Sequence, residues 1–403
     1  MTPEINLKAT EIRADPYPTF ARLRKESPVV VIQHPLFGKT YYLTRYTDVV
    51  SSFTDPRLAN DRRNVVGNKD PLDRWWVPRL FRAFQNNMLS VDAPDHRRLR
   101  DLVHKAFTPR RVEEMKQAVE KIVGELLDAA QKKQTVNLIA DFALPLPLTV
   151  ISEMMGVPEE ERLTFHRQMG DFLDNLTSPL QFLLQAPNAF NMTRLFRKLI
   201  RLRREEPRDD LLTALVQAEE QGDRLSEDEL ISMIFLLLLA GHETTVNLIG
   251  NGTLALLQHP EQLQKLRENP ELIGSAVEEL LRYGNPVEQP SPRFAREEIH
   301  LEGHVIPQGA TVMPLLASAN RDESAFENAD KLDITRKPNR HVAFGMGAHY
   351  CLGAPLARLE GTIALQQLVR RFPRMKLAVP EEQLRWRGSV GLRGLKALPL
   401  QLT

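Results

Sequence analysis

Phe344-Gly345-Met346-Gly347-Ala348-His349-Tyr350-Cys351-Leu352-Gly353 holds the single cysteine of a 403-residue chain. A lone cysteine cannot form an internal disulfide, and a free one often fills a core as a small apolar side chain. The neighbours of Cys351 argue against that use. Glycines at 345, 347 and 353 remove Cβ atoms that would collide with a flat, bulky group lying against the backbone. The stretch runs into a predicted helix, whose unpaired N–H groups and positive dipole end favour thiolate over thiol. A thiolate so placed suits iron ligation.

Followed by Ala354-Pro355-Leu356-Ala357-Arg358, the pattern Phe-Gly-x-Gly-x-His-x-Cys-x-Gly resembles the haem-ligand loop of the cytochrome P450 family. The resemblance implies that Cys351 is the proximal thiolate ligand of haem b iron, with Phe344, His349 and Gly353 around the cofactor. Pro355 then lies in the first helical turn, where its missing N–H costs little.

Composition agrees with a compact enzyme. Lys plus Arg (53) nearly cancel Asp plus Glu (52), which argues against a nucleic-acid partner. One cysteine and no signal peptide predict a reducing cytoplasm. The longest apolar run, Met233 to Ala240, is far short of the roughly 20 residues of a membrane span. A soluble, monomeric protein without a membrane anchor is expected. No Pro/Ser/Gly linker divides the chain, so residues 1–403 read as one domain.

Punctuation places the helices. Expected spans are Pro16–Glu26, Asp92–Phe107 with Asp92 as its cap, Arg111–Lys133, Leu148–Met155, Glu159–Asp174, Ala189–Glu206 and Asp209–Gln221. Ser226-Glu227-Asp228-Glu229 has the form of a capping box. The helix it opens can run to His259, about 33 residues or near 50 Å, and its apolarity around Ile231 to Ala240 requires burial on nearly all sides. Pro260–Glu268, Pro270–Tyr283 and the segment after Cys351 to about Arg371 complete the helical set. Tyr41 to Thr44 reads as a strand, and Ile299 to Met313 as hairpin-like sheet. Asp55 to Ser90 reads as loop with short helices. The fold class is therefore mainly α with a small β region, and the resemblance makes it the cytochrome P450 fold, with haem between the long central helix and the Cys351 loop.

Inside the long helix stands a polar cluster, Ala240-Gly241-His242-Glu243-Thr244-Thr245. Buried polar groups are costly unless paired or used. Thr244 could bond back to the carbonyl of Ala240 while Glu243 pairs with a cation. A zinc site of the His-Glu-x-x-His kind fails because position 246 is valine. The resemblance gives the cluster another sense: a widened turn at Gly241 makes room for dioxygen, and Glu243 and Thr244 relay protons for its activation. His242 has no assured role, facing solvent or a neighbouring helix.

Glu279 and Arg282 lie one turn apart on a helical face. In the family this Glu-x-x-Arg is tied to an arginine at the position of Arg336 here, a scaffold for the haem loop. His96 and Arg100 are four apart on the predicted Asp92 helix, and the resemblance joins them to Arg293 and His349 as partners of the haem propionates. Nearby Arg97, Arg98, His104, Lys105, Arg110 and Arg111 form either a solvated face or a landing site for an acidic electron donor. No GxGxxG fingerprint or further cysteine supplies an internal redox centre. The resemblance thus implies a ferredoxin or flavodoxin with its reductase, drawing on NAD(P)H.

Matching positions around the haem predict Leu236, Leu239, Ala240, Val287 and Val390 against an apolar small-molecule substrate. The implied function is a haem-thiolate monooxygenase inserting one atom of O2 into that substrate. Two alternatives stay open: a peroxide-driven peroxygenase, expected to lack the acid-threonine pair, and a non-catalytic haem-binding sensor.

Overall fold

A computed structural model of the chain describes residues 13–34, 38–65, 87–104, 107–164, 167, 186–220, 225–387 and 391–402. Its helices are α1 (Tyr17–Glu26), α2 (Tyr46–Ser52), α3 (Asp95–His104), α4 (Pro109–Glu114), α5 (Lys116–Gln131), α6 (Pro145–Met154), α7 (Ala186–Glu205), α8 (Leu211–Glu220), α9 (Glu227–Gln258), α10 (Pro260–Glu268), α11 (Ile273–Gly284), α12 (Leu316–Ala319) and α13 (Ala354–Arg371).

The capping box at Ser226 starts α9 as expected. The Ser226 hydroxyl accepts the Glu229 N–H (3.3 Å), and the Glu229 carboxylate accepts the Ser226 N–H (2.8 Å). From there 32 residues span about 48 Å, with α6, α11 and α13 packed along the helix. By length and composition α9 could cross a membrane, yet 78% of its apolar window is buried inside the protein, which makes it the core helix. On α11, Asn285 ends the helix in a left-handed conformation (φ 42°), which asparagine tolerates better than most residues.

A five-stranded sheet runs in the order β1-β2-β8-β5-β3. It comprises β1 (Val29–His34), β2 (Gly38–Leu43), β3 (Leu58–Ala59), β5 (Arg293–Ala295) and β8 (Thr311–Pro314). A three-stranded sheet joins β4 (Val136–Asn137), β10 (Pro399–Gln401) and β9 (Lys376–Leu377). The predicted hairpin is β6 (Ile299–Leu301) with β7 (His304–Ile306), turning through Glu302 and Gly303, both at positive φ (48° and 73°). Such a two-residue turn matches the twist of the strands. Thr311 to Met313, expected beside that hairpin, instead pairs in parallel with β2 and antiparallel with β5.

Other differences have physical reasons. Asp92 does not cap α3 with its side chain. Its carboxylate accepts the N–H groups of Asn60 and Asp61 (2.9 and 3.3 Å) and a bond from Asn64 (2.9 Å), so the helix begins at Asp95. The single helix expected over 111–133 is divided at Met115 into α4 and α5. Most of the Glu159–Asp174 expectation, much of the Asp55–Ser90 loop, Lys105 and Val390 lie outside the described residues.

Candidate active site

Gly345 and Gly347 shape the Cys351 loop. Both have positive φ (66° and 67°), and a Cβ at 347 would stand 3.1 Å from the Phe53 carbonyl oxygen. The Cys351 N–H donates to the Phe344 carbonyl (2.9 Å), closing the loop just before α13. Cys351 is exposed and lines a cavity of about 260 Å³. The helix start was expected to favour thiolate, but burial outweighs it and pushes the thiol up. The backbone N–H groups of Gly353 and Ala354, with Arg100 and Arg358, oppose that rise.

The same cavity is lined by His96, Arg100, Arg293, Phe344, His349 and Gly353, so all seven residues expected around the cofactor meet at one place. His96 and His349 lie with ring centroids 4.0 Å apart. Arg293 is 6% exposed and donates Nη1–H to Asn60 Oδ1 (2.6 Å). Burial pulls its guanidinium down to about 10, opposed by Asp92. Burial first, then His96 and Arg293, pull His349 down to about 3. Arg100 donates to the Tyr350 carbonyl (2.9 Å).

These residues fit haem. Arg293 Nε and His349 Nδ1 are buried without hydrogen-bond partners, and an added Cβ at Gly353 would meet nothing within 4 Å. Two orphaned nitrogens and a sulfur lining one cavity match a flat group with anionic arms and a thiophilic metal.

Helix α9 turns two rows of residues to the cavity that Cys351 lines: Leu236, Ala240 and Thr244, and Leu237, Gly241, Thr245 and Leu248. Each row advances by about one turn, so neighbours on one row share a face. Leu239 and Glu243 belong to a third row and do not line the cavity. The structure therefore replaces Leu239 with Leu237 as a wall residue, while Leu236, Ala240 and Val287 stand where expected. Helix α9 passes Gly241 without a break. The glycine's missing Cβ makes way for Ile151 of α6, which would lie 2.6 Å from it.

Thr244 donates its hydroxyl hydrogen to the Ala240 carbonyl (3.0 Å), and Glu243 accepts Arg387 Nη1–H (2.8 Å). Both local partners anticipated for a structural cluster are thus present. His242 is fully buried rather than facing solvent. Its Nδ1 stands 2.6 Å from the Leu238 carbonyl, and since a carbonyl only accepts, that nitrogen carries the proton.

Sequence reasoning missed Glu360 on α13. It is 1% exposed, neither oxygen makes a hydrogen bond, and burial pushes its carboxyl up to about 8, with the Thr245 hydroxyl opposing. That hydroxyl is close enough to favour the carboxylate but does not meet the geometry of a bond to it. The signal was available, because Glu360 falls one turn from Leu356 and Ala364 on the buried face of α13.

Below the cavity, Glu279 accepts two bonds from Arg282 (2.7 and 2.8 Å) and two from Arg336 (3.1 and 3.2 Å). Arg282 also donates to the carbonyls of Asn320, Ala329 and Lys331. The expected link between the helix pair and Arg336 is present. The basic stretch near α3 is less free than its composition implied. Arg97 lies 4.0 Å from Asp101, Arg98 bonds Asp95 and Glu229, Arg110 bonds Glu114 and Arg111 bonds Asp209.

The sequence profile of the family "Cytochrome P450" matches residues 34–384. The chain is 45% identical to "Polyketide biosynthesis cytochrome P450 PksS" of Bacillus subtilis (strain 168), over 98% of this chain and 97% of that one. It is 43% identical to "Cytochrome P450 monooxygenase PikC" of Streptomyces venezuelae, over 97% and 92%. The crystal structure of myxobacterial cytochrome P450 CYP267B1 in complex with myristic acid superposes with a TM-score of 0.93 at 40% identity, covering 98% of both chains. The chain belongs to the cytochrome P450 family, as an oxidoreductase of its bacterial monooxygenases.

Proposed function

We propose that the protein is a soluble, cytoplasmic haem-thiolate monooxygenase that inserts one oxygen atom from O2 into an apolar small molecule. The observation that carries this reading is the shared cavity, lined at once by the Cys351 thiol, the guanidinium groups of Arg100 and Arg293, the imidazoles of His96 and His349, and the apolar rows of α9. Bound there, haem supplies oxygen activation. Cys351 Sγ would hold the iron, Arg293 Nε and His349 Nδ1 with His96 and Arg100 would hold the propionates, and Phe344 and Gly353 would frame the ring.

Thr244, on the cavity row, holds a proton at Oγ1. Glu243, one residue earlier on an adjacent row, draws protons from the side where Arg387 reaches solvent. Leu236, Leu237, Ala240 and Val287 exclude water and recognise substrate by shape. Polyketides are the first class to screen, because a similar protein carries polyketide biosynthesis in its name. A low-to-high spin shift of the haem reports binding.

Electrons come from a ferredoxin or flavodoxin and its NAD(P)H-dependent reductase. In a system reconstituted with these, Thr244→Ala is expected to keep consuming NAD(P)H while product falls by about 10²-fold and hydrogen peroxide accumulates. Unchanged coupling in that variant overturns the proton role of Thr244. Turnover on peroxide alone, unaffected by the substitution, identifies a peroxygenase instead.

A further inference from the structure

Glu278 sits beside Glu279 on α11 but is rotated about 100° around the helix, towards α13 and the Cys351 loop. Its two oxygens accept Arg358 Nε–H (2.6 Å) and Nη2–H (2.9 Å). Its Oε2 is also 3.0 Å from His341 Nε2. His341 Nδ1 accepts the Ala343 N–H (3.2 Å). These two bonds together select the neutral imidazole with its proton on Nε2. Glu278 is thereby held from two sides, and it holds Arg358 in one orientation.

The fixed guanidinium meets the two residues that define the position of the sulfur. It lies 4.5 Å from the centroid of the Phe344 ring, whose carbonyl accepts the Cys351 N–H. It also donates Nη1–H to the hydroxyl of Tyr350 (3.1 Å), the residue preceding the cysteine. A positive charge therefore lies against the ligand loop, with its negative partner bonded to its Nε and Nη2. A loop clamp alone does not require charge there, since a neutral donor could hold Tyr350 and an aliphatic chain could cover Phe344. Both groups are only about a third exposed, so the field of this oriented pair is incompletely screened at the sulfur.

We propose that Arg358, oriented by Glu278 and His341, is a positioning residue that sets the charge retained on the Cys351 sulfur and hence the reduction potential of the bound haem, with Glu278 offsetting part of its field. This rests on the haem-thiolate reading. A cation near the sulfur stabilises the added electron of the ferrous form, and an anion opposes it.

The test is spectroelectrochemical titration of the full-length, haem-loaded protein, after its reduced carbon-monoxide spectrum confirms thiolate ligation. Arg358→Gln is expected to shift the ferric-to-ferrous ratio about tenfold towards ferric, 59 mV for one electron. Glu278→Gln should shift it in the opposite direction by a smaller factor, and the double variant should fall between the two single variants, on the ferric side of the parent. Shifts of the same sign in the two single variants, or none in either, overturn the proposal. If Arg358→Gln does not retain haem, Arg358→Lys provides a second measurement. It keeps the charge and loses the fork, so a potential within threefold of the parent supports the electrostatic role and a larger fall towards ferric overturns it. A parent protein without the thiolate-shifted Soret band would instead defeat the haem-thiolate reading itself.

Discussion

Glu279 and Glu360 are both shut away from solvent, at 0% and 1% exposure, yet their surroundings are opposite. The Glu279 carboxylate takes hydrogen bonds from Arg282, Arg336, Asn339 and the Asp333 N–H. Glu360 has none. A buried charge persists only where partners replace its lost hydration. The first site is therefore a charge-paired joint of the scaffold, and the second holds an acid that is mainly protonated at neutral pH. The joint lies among α11 and the loop leading to Cys351, while the neutral acid lies between α13 and α9, where Thr245 separates it from the cavity. The two glutamates mark a supporting region that must not move and a region where a proton can be kept or released.

The sharpest way to break this contrast is to unbalance the joint. Glu279→Gln leaves Arg282, which is fully buried, without its counter-charge. Removing one member of a buried pair costs about 3–5 kcal/mol. The expected outcome is a large fall in the urea midpoint of unfolding, together with loss of haem on gel filtration. An unchanged midpoint would show that the carbonyls of Asn320, Ala329 and Lys331 suffice to hold Arg282.

Arg336→Gln should have a smaller effect. Arg336 is 9% exposed at its side chain and shares Glu279 with Arg282, so its loss removes charged hydrogen bonds without isolating the acid. A cost of about 1.5–3 kcal/mol follows, readable in the same unfolding curve. A cost equal to that of Glu279→Gln would mean that Arg336, and not Arg282, is the principal partner.

The two glutamates also differ in how far the sequence disclosed them. Glu279 was legible because Glu-x-x-Arg puts both groups on one face and because a family pattern supplied Arg336 as the third member. Cys351, His96, Arg100, Arg293 and His349 were legible for the same reason, since charged residues stand out where a pattern predicts a cofactor. Leu239 was misplaced because position matching ignored the rotation of α9, which puts residue 237 on the cavity and residue 239 off it. Glu360 was overlooked because Arg358-Leu359-Glu360 reads locally as an ordinary charged helix surface. The one opposing signal is its four-residue spacing from the apolar Leu356 and Ala364, whose burial turns the position inward. Asp92 failed as a cap for a related reason, its carboxylate being engaged by Asn60 and Asp61 across more than thirty residues of chain.

Glu360→Gln should have the least effect at mildly acidic pH, and its value lies in the pH dependence. Glutamine mimics the protonated acid in shape and charge, so near pH 5 the variant and the parent should unfold at nearly the same urea concentration. In the folded protein the carboxyl titrates at about 8, against an ordinary value of 4.5. Between these values the folded state keeps a proton that the unfolded chain releases. The stabilisation is complete below pH 4.5 and is lost as pH rises to about 8, at up to roughly 1.4 kcal/mol per pH unit. The variant lacks this titration. Its stability relative to the parent should therefore rise steadily from pH 5 to pH 8 and level off above. Parallel curves over that range would show that Glu360 is charged in the folded protein, with a bond from Thr245 in place of the proton. In that case both buried glutamates would be paired anions, and α13 would keep no neutral acid beside the cavity.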